Sequence, residues 1–178
     1  MKKLKGLLVL LILFVITGCS FGNSPKSKVE ALLMKYQTNS ADLKTELDDF
    51  LDSINAADDY KDEYRKVYER QYKDLKYKIK DEKIDGDKAT VTAEIEVYDY
   101  YKTEADATSY IASNPGEFND NGVYSVSKGL EYKIKAYNNT KDRVTYTIDF
   151  TLTKTDNKWT IDPLTDDELA KLHGTYVH

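Results

Sequence analysis

The chain is poor in the residue types that most enzymes and metal proteins use. It holds one cysteine, two histidines and one tryptophan among 178 residues, with three prolines and eight glycines. A single cysteine cannot close an internal disulfide, and His173 and His178 leave little for a transition-metal site. Basic residues are also outnumbered, 26 to 31, for a net charge of −5, whereas a nucleic-acid binder shows a basic footprint. No nucleophile elbow, phosphate loop, zinc spacing or dinucleotide fingerprint appears. Glu117-x-Asn119-x-Asn121-Gly122 begins like a calcium loop, but its twelfth position is Lys128 where a bidentate glutamate is required. No cofactor and no metal are implied.

The first eighteen residues differ in kind from the rest. Lys2, Lys3 and Lys5 precede an apolar run, Leu7 to Ile16, too short to span a bilayer and ending in small residues, as a signal peptide does. Ile16-Thr17-Gly18-Cys19 resembles the bacterial lipobox. That resemblance implies diacylglycerol on the Cys19 sulfur, cleavage before Cys19, and attachment to the outer face of a bacterial cell membrane. The thiol is then spent, and no cysteine remains for catalysis. Without residues 1–18 the chain has 23 basic against 31 acidic residues, a net charge of −8, so an anionic membrane surface should hold the domain off. Residues 19–27 read as a polar tether and 28–178 as one domain.

Hydrophobic periodicity orders that domain. Val29, Leu32, Leu33 and Tyr36 mark a first helix, broken at Asn39-Ser40, and Leu43, Leu47, Phe50, Leu51 and Ile54 mark a second. Asp58-Asp59 opens a third, with tyrosines at 60, 64, 68 and 72. After Tyr72 the period becomes 2. Leu75, Tyr77 and Ile79 alternate, Asp85-Gly86 signals a hairpin, and a strand runs to Tyr101 with Ala89, Val91, Ala93, Ile95, Val97, Asp99 and Tyr101 inward. Thr90, Thr92, Glu94, Glu96, Tyr98 and Tyr100 form its outward row. Thr103 to Asp106 resembles a capping signature for a short helix to Ile111, and Asn114 to Gly122 is loop by composition. Val126 to Tyr137 fits helix and strand alike, and the Asn138-Asn139 that follows favours helix. Arg143 to Thr153 is a strand, turned at Asp156-Asn157 into a partner carrying Trp159 and Ile161. Thr165 to Glu168 caps a last helix, stopped by Gly174.

The fold class is α+β, with N-terminal helices packed on a curved antiparallel sheet. "YKDLKYKIKDEKIDGDKATVTAEIEVYDYYK", "VTYTIDFTLTKTDNKWTID" and "LAKLHGTY" together resemble a group of functionally uncharacterised bacterial lipoproteins built on the nuclear transport factor 2-like cone, within the cystatin-like architectures. The resemblance spans roughly residues 28–176. It implies a fold shared by isomerases, dehydratases and non-catalytic binders, and it assigns no catalytic residue.

Tyrosines four apart on a 3.6-residue helix drift about 40° per step, so Tyr60 to Tyr72 sweeps about 120°, the width of a core stripe. The charges between them nearly balance, which suits core packing, or a pocket wall, better than a base-stacking platform. Asp99, in phase with Ile95 and Val97, is a candidate general base, although no second inward acid or base joins it. His173 is accounted for by the dipole and carbonyls of a helix C-terminus.

The expected function is a non-enzymatic, lipid-anchored binding module for a small apolar or amphipathic ligand or an envelope partner. Its expected lining is Tyr64, Tyr68, Val97, Asp99, Tyr101, Tyr146, Phe150 and Trp159. One alternative is an isomerase- or hydrolase-like enzyme with Asp99 as base. Another is a structural interaction module that forms a homodimer through its sheet.

Overall fold

The computed structural model describes residues 22–38, 40–53 and 56–178. The expected signal peptide, the expected lipobox with Cys19, and the expected contributions of Asn39 and Ile54 lie outside the described residues.

The first helix, α1 (Pro25–Gln37), begins inside the expected tether. Ser24 caps it and exchanges hydrogen bonds with Ser27, while Pro25 takes the first helical position, where its missing N–H costs nothing. Helix α2 (Ala41–Ser53) and a 3₁₀ turn (Asp58–Tyr60) lead to α3 (Lys61–Lys73), the tyrosine helix. Strands β1 (Lys76–Asp85) and β2 (Lys88–Tyr98) form an antiparallel hairpin. Its turn is Gly86-Asp87, one residue beyond the expected pair, and Gly86 supplies the positive φ of 59°. A bulge between Ile79 and Asp81 shifts the register of β1.

Helix α4 (Tyr100–Ser113) starts immediately after β2. The short α5 (Pro115–Phe118) and the two-residue strands β3 (Asn119–Asp120) and β4 (Val123–Tyr124) stand where a plain loop was expected. Helix α6 (Val126–Asn139) resolves the ambiguous stretch as helix. Strand β5 (Arg143–Thr155) turns through Asp156 and Asn157, both at positive φ, into β6 (Lys158–Ile161). Helix α7 (Asp166–His173), with a Thr165–Glu168 capping box, closes the chain's order.

The main sheet is antiparallel in the order β1-β2-β5-β6. The α+β class is as expected, with helices α1, α3 and α7 packed on this sheet. Ala89, Val91, Ala93, Ile95 and Val97 of β2 and Tyr146, Ile148, Phe150 and Leu152 of β5 are buried beneath them. The outward face is polar and cross-linked, with Lys76 Nζ 2.8 Å from Glu96 Oε1 and Thr92 Oγ1 2.5 Å from Asp149 Oδ1.

The expected strand to Tyr101 ends three residues early. Asp99 leaves the extended region (φ −82°, ψ 80°), and its Oδ1 accepts from Lys102 N–H at 2.8 Å as the N-cap of α4. Beyond that point alternation no longer assigns faces. Tyr100, expected outward, is fully buried, while Tyr101, expected inward, is half-buried on α4. Tyr98, also expected outward, is buried between the guanidinium groups of Arg70 and Arg143, 3.7 and 4.5 Å from its ring.

Gly174 closes α7 in the left-handed region at φ 73°, where a Cβ would overlap the Tyr98 carbonyl oxygen and the Gln71 amide. Gly86 has a similar φ, with open space around it. Gly174→Ala should therefore cost about 3 kcal/mol, strain plus overlap, and Gly86→Ala only about 1 kcal/mol, both measured by urea unfolding.

Candidate functional site

The residues expected to line a pocket are mostly consumed by the core. Val97 and Phe150 are fully buried, and Tyr68, Tyr146 and Trp159 nearly so. Tyr64 packs against Tyr137 at 6.5 Å between ring centroids. Tyr101 faces His178, and Asp99 Oδ2 lies 3.3 Å from His178 Nε2. The Asp99 carboxylate is thus 5 % exposed, yet committed to capping a helix and meeting the C-terminal imidazole. None of these eight residues lines the apolar cavity formed by α1, α2 and the β6–α7 segment.

That cavity is a cleft of about 580 Å³ between α1, α2 and the segment from β6 into α7. Leu32 and Tyr36 come from α1, and Leu43, Leu47 and Phe50 from α2. Ile161, Pro163, Leu164 and Leu169 supply the opposite wall. The amphipathic stripe of α2 explains its share, since leucines at 43, 47 and 51 are four residues apart. Ion pairs tie α2 to its neighbours: Lys35 with Glu46, Arg65 with Asp48 at 2.7 Å, and Lys61 with Asp52 at 2.7 Å.

A polar pair, Tyr72 and His173, lies among the lining residues. The Tyr72 hydroxyl and His173 Nδ1 are 2.7 Å apart, and the Phe50 ring stacks on the imidazole at 4.1 Å with planes 18° apart. The Tyr68 ring meets the same imidazole edge-on at 5.6 Å. Burial pushes the Tyr72 hydroxyl well above its ordinary range and His173 down to about 4, so both are neutral at pH 7. The two share one hydrogen bond whose direction follows the imidazole tautomer. The rim adds Glu46, Asp49 and Asp162, the last accepting from Thr153 Oγ1 at 2.7 Å.

The position of His173 was underestimated from the sequence, where a helix-end histidine suffices as an explanation. It is 6 % exposed and continues the apolar stripe of α7 with Leu169 and Leu172. That i, i+3, i+4 phase is the signal that could have placed it inward. Among the described residues no three His, Cys, Asp or Glu side chains converge as a metal site, and no helix is long and apolar enough to cross a membrane.

No protein-family model matches the chain, and no curated protein sequence matches it. Among solved structures it is similar to the crystal structure of ycdA from Bacillus subtilis, titled a "putative lipoprotein", at 18% identity with a TM-score of 0.41. The match covers 76% of this chain and 44% of that one. The likeness is to part of that protein.

His173 makes stability depend on pH. Its proton is bound more weakly in the folded chain (about 4) than in the unfolded chain (6.5). The unfolded state therefore binds the extra proton between those values, and stability falls as pH falls through that window. From pH 7 to 4.5 the loss from this residue should be about 2 kcal/mol, and His173→Gln should remove that part of the pH dependence in urea titrations.

Proposed function

We propose that the protein is a lipid-anchored binding module on the outer face of a bacterial cell membrane, with the α1–α2–α7 cleft as its ligand site. The single observation behind the binding role is a cleft of about 580 Å³ with apolar walls that also includes a neutral hydrogen-bonding pair. Small-molecule sites combine these two properties: apolar area supplies affinity and a few placed polar groups supply orientation. The ligand class is a small amphipathic molecule. Its apolar body would lie along Leu32, Leu47 and Leu164, its hydrogen-bonding group would meet the Tyr72–His173 pair, and any positive charge would favour the acidic rim. The anchor follows from the Cys19 lipobox.

The helices preceding an antiparallel sheet, with a bulge in its first strand, support reading the fold as a nuclear transport factor 2-like cone. An enzymatic role through Asp99 has less support, because that carboxylate caps α4 and lies apart from the cleft. Dimerisation through the sheet also has less support, since the outward face is crossed by the Lys76–Glu96 and Lys80–Glu94 pairs.

The test is titration of the mature protein with N-phenyl-1-naphthylamine, an apolar amine whose fluorescence rises on leaving water, alongside native mass spectrometry of protein taken from its host envelope. Saturable enhancement is expected. Leu164→Trp, which fills the cleft from a half-buried position, should weaken it about tenfold. Absence of probe binding together with no co-purifying small molecule would sink the proposal.

A further inference from the structure

The sheet end nearest the N-terminus carries a fastening. Asn23 Nδ2 donates to the Asn157 carbonyl at 2.7 Å, and Trp159 N–H donates to Asn23 Oδ1 at 3.3 Å. Three residues on, Lys26 N–H donates to Glu82 Oε1 at 2.7 Å. The start of α1 is thus fixed to both the β5–β6 turn and the β1–β2 hairpin, while Pro25 is buried beneath it. Only Ser20 and Phe21 separate Cys19 from Gly22, so the chain between them spans at most about 11 Å.

Charge at this end differs from that of the whole chain. Residues 22–30, 81–88 and 153–158 hold six lysines, Lys26, Lys28, Lys83, Lys88, Lys154 and Lys158, against Glu30, Asp81, Glu82, Asp85, Asp87 and Asp156, with Lys26 paired to Glu30 and Lys83 to Asp81. That end carries no net charge, on a chain whose net charge without residues 1–18 is −8. Beside the turn, Ile84 is 56% exposed, a large apolar side chain in water. The far end of β2, at Tyr98, lies about 33 Å away at 3.3 Å per residue, and there the chain passes into α4 and on to the β3–β4 hairpin with exposed Val123.

We infer that the end of the domain formed by the β1–β2 and β5–β6 turns is a lipid-facing surface. Its lysines sit among anionic headgroups, Ile84 dips into the interface, and the α4–α6 end points away from the membrane. The acidic domain as a whole would be repelled by an anionic bilayer, so an end without net charge, held close by a short, fastened connection, selects one orientation. The Asn23 fastening is what converts a lipid anchor, which alone allows tumbling, into a posture. This inference rests on lipidation of Cys19.

The test expresses the full chain in a bacterial host as Ile84→Cys or Val123→Cys, each labelled with an environment-sensitive fluorophore. Thioether-linked Cys19 does not react with the label. After reconstitution into vesicles containing one-third phosphatidylglycerol and headgroup-quencher lipid, the label at 84 should lose most of its fluorescence and the label at 123 almost none. Intact mass is read on the same samples. A mass without diacylglycerol overturns the anchored reading and the orientation with it. A lipidated protein quenched equally at 84 and 123, or more at 123, overturns the orientation alone.

Discussion

One buried amide holds the ends of three elements together. Gln71 of α3 is fully buried, and its Oε1 accepts from Tyr98 N–H at 2.8 Å. Its Nε2 donates to the Tyr98 carbonyl at 3.0 Å and to the His173 carbonyl at 2.9 Å. The pattern has a simple cause. Strand β1 begins at Lys76 opposite Glu96, so it stops short of Tyr98. The next residue, Asp99, sends its N–H the other way, to the Asp142 carbonyl. Both backbone groups of Tyr98 would be buried without partners, and a side-chain amide carries the donor and acceptor that a neighbouring strand would have supplied. Gly174 follows from the same contact, because only a residue without Cβ lets the end of α7 approach Gln71 and Tyr98 so closely.

The switch from strand to helix at Asp99 grows from this junction. Asp99 caps α4, and Thr103 Oγ1 donates to the Asp99 carbonyl at 2.7 Å, anchoring the first turn. Tyr98 is held by Asp74, whose Oδ2 accepts its hydroxyl at 2.8 Å, and by the two guanidinium groups on its ring. Arg143 Nε stands 2.6 Å from Glu96 Oε1 as an ion pair outside hydrogen-bond angles, and its Nη2 donates to the Asp74 carbonyl at 2.5 Å. The tyrosine stripe runs into this assembly: the Tyr100 hydroxyl donates to the Val67 carbonyl at 3.0 Å, and the Tyr68 ring meets Tyr100 edge-on at 6.0 Å. Tyr68 and Tyr72 are thus core residues, and the Tyr72 and Tyr100 hydroxyls find buried partners in His173 and the Val67 carbonyl.

What was legible in the sequence followed from local repetition. The 3.6-residue stripes, the Gly86 turn, the inward faces of β2 and β5 and the capped last helix each depend on residues a few positions apart. What was not legible depends on distant partners. A glutamine inside a tyrosine-rich helix looks like any surface residue until β2 and α7 are known to end against it, 27 and 102 residues away. Asp99 continues the inward alternation perfectly, and only the backbone turn at the end of β2 makes it a cap. The eight residues expected to line a pocket share a face, but shared facing puts side chains in a core as readily as in a cavity. The cleft lies instead where three separate segments meet imperfectly, which no single periodicity describes.

The openness of the cleft has an electrostatic side. Its walls are apolar enough that closing α2 onto the β6–α7 segment would remove further hydrocarbon from water, at roughly 25 cal/mol per Å². Closure would also bring Glu46 and Asp49 of α2 toward Asp162, with Lys35 as the cation already paired to Glu46. Desolvating carboxylates of like charge costs several kcal/mol each in a low-dielectric site, more than the further burial of a few leucine side chains would offset. At the bottom, the Phe50–His173 stack and the Tyr72 hydrogen bond fix how far α2 can descend. The same two features that keep the cleft from collapsing, an acidic rim and a neutral polar pair in its lining, are those that an amphipathic occupant with a hydrogen-bonding or cationic group could satisfy together.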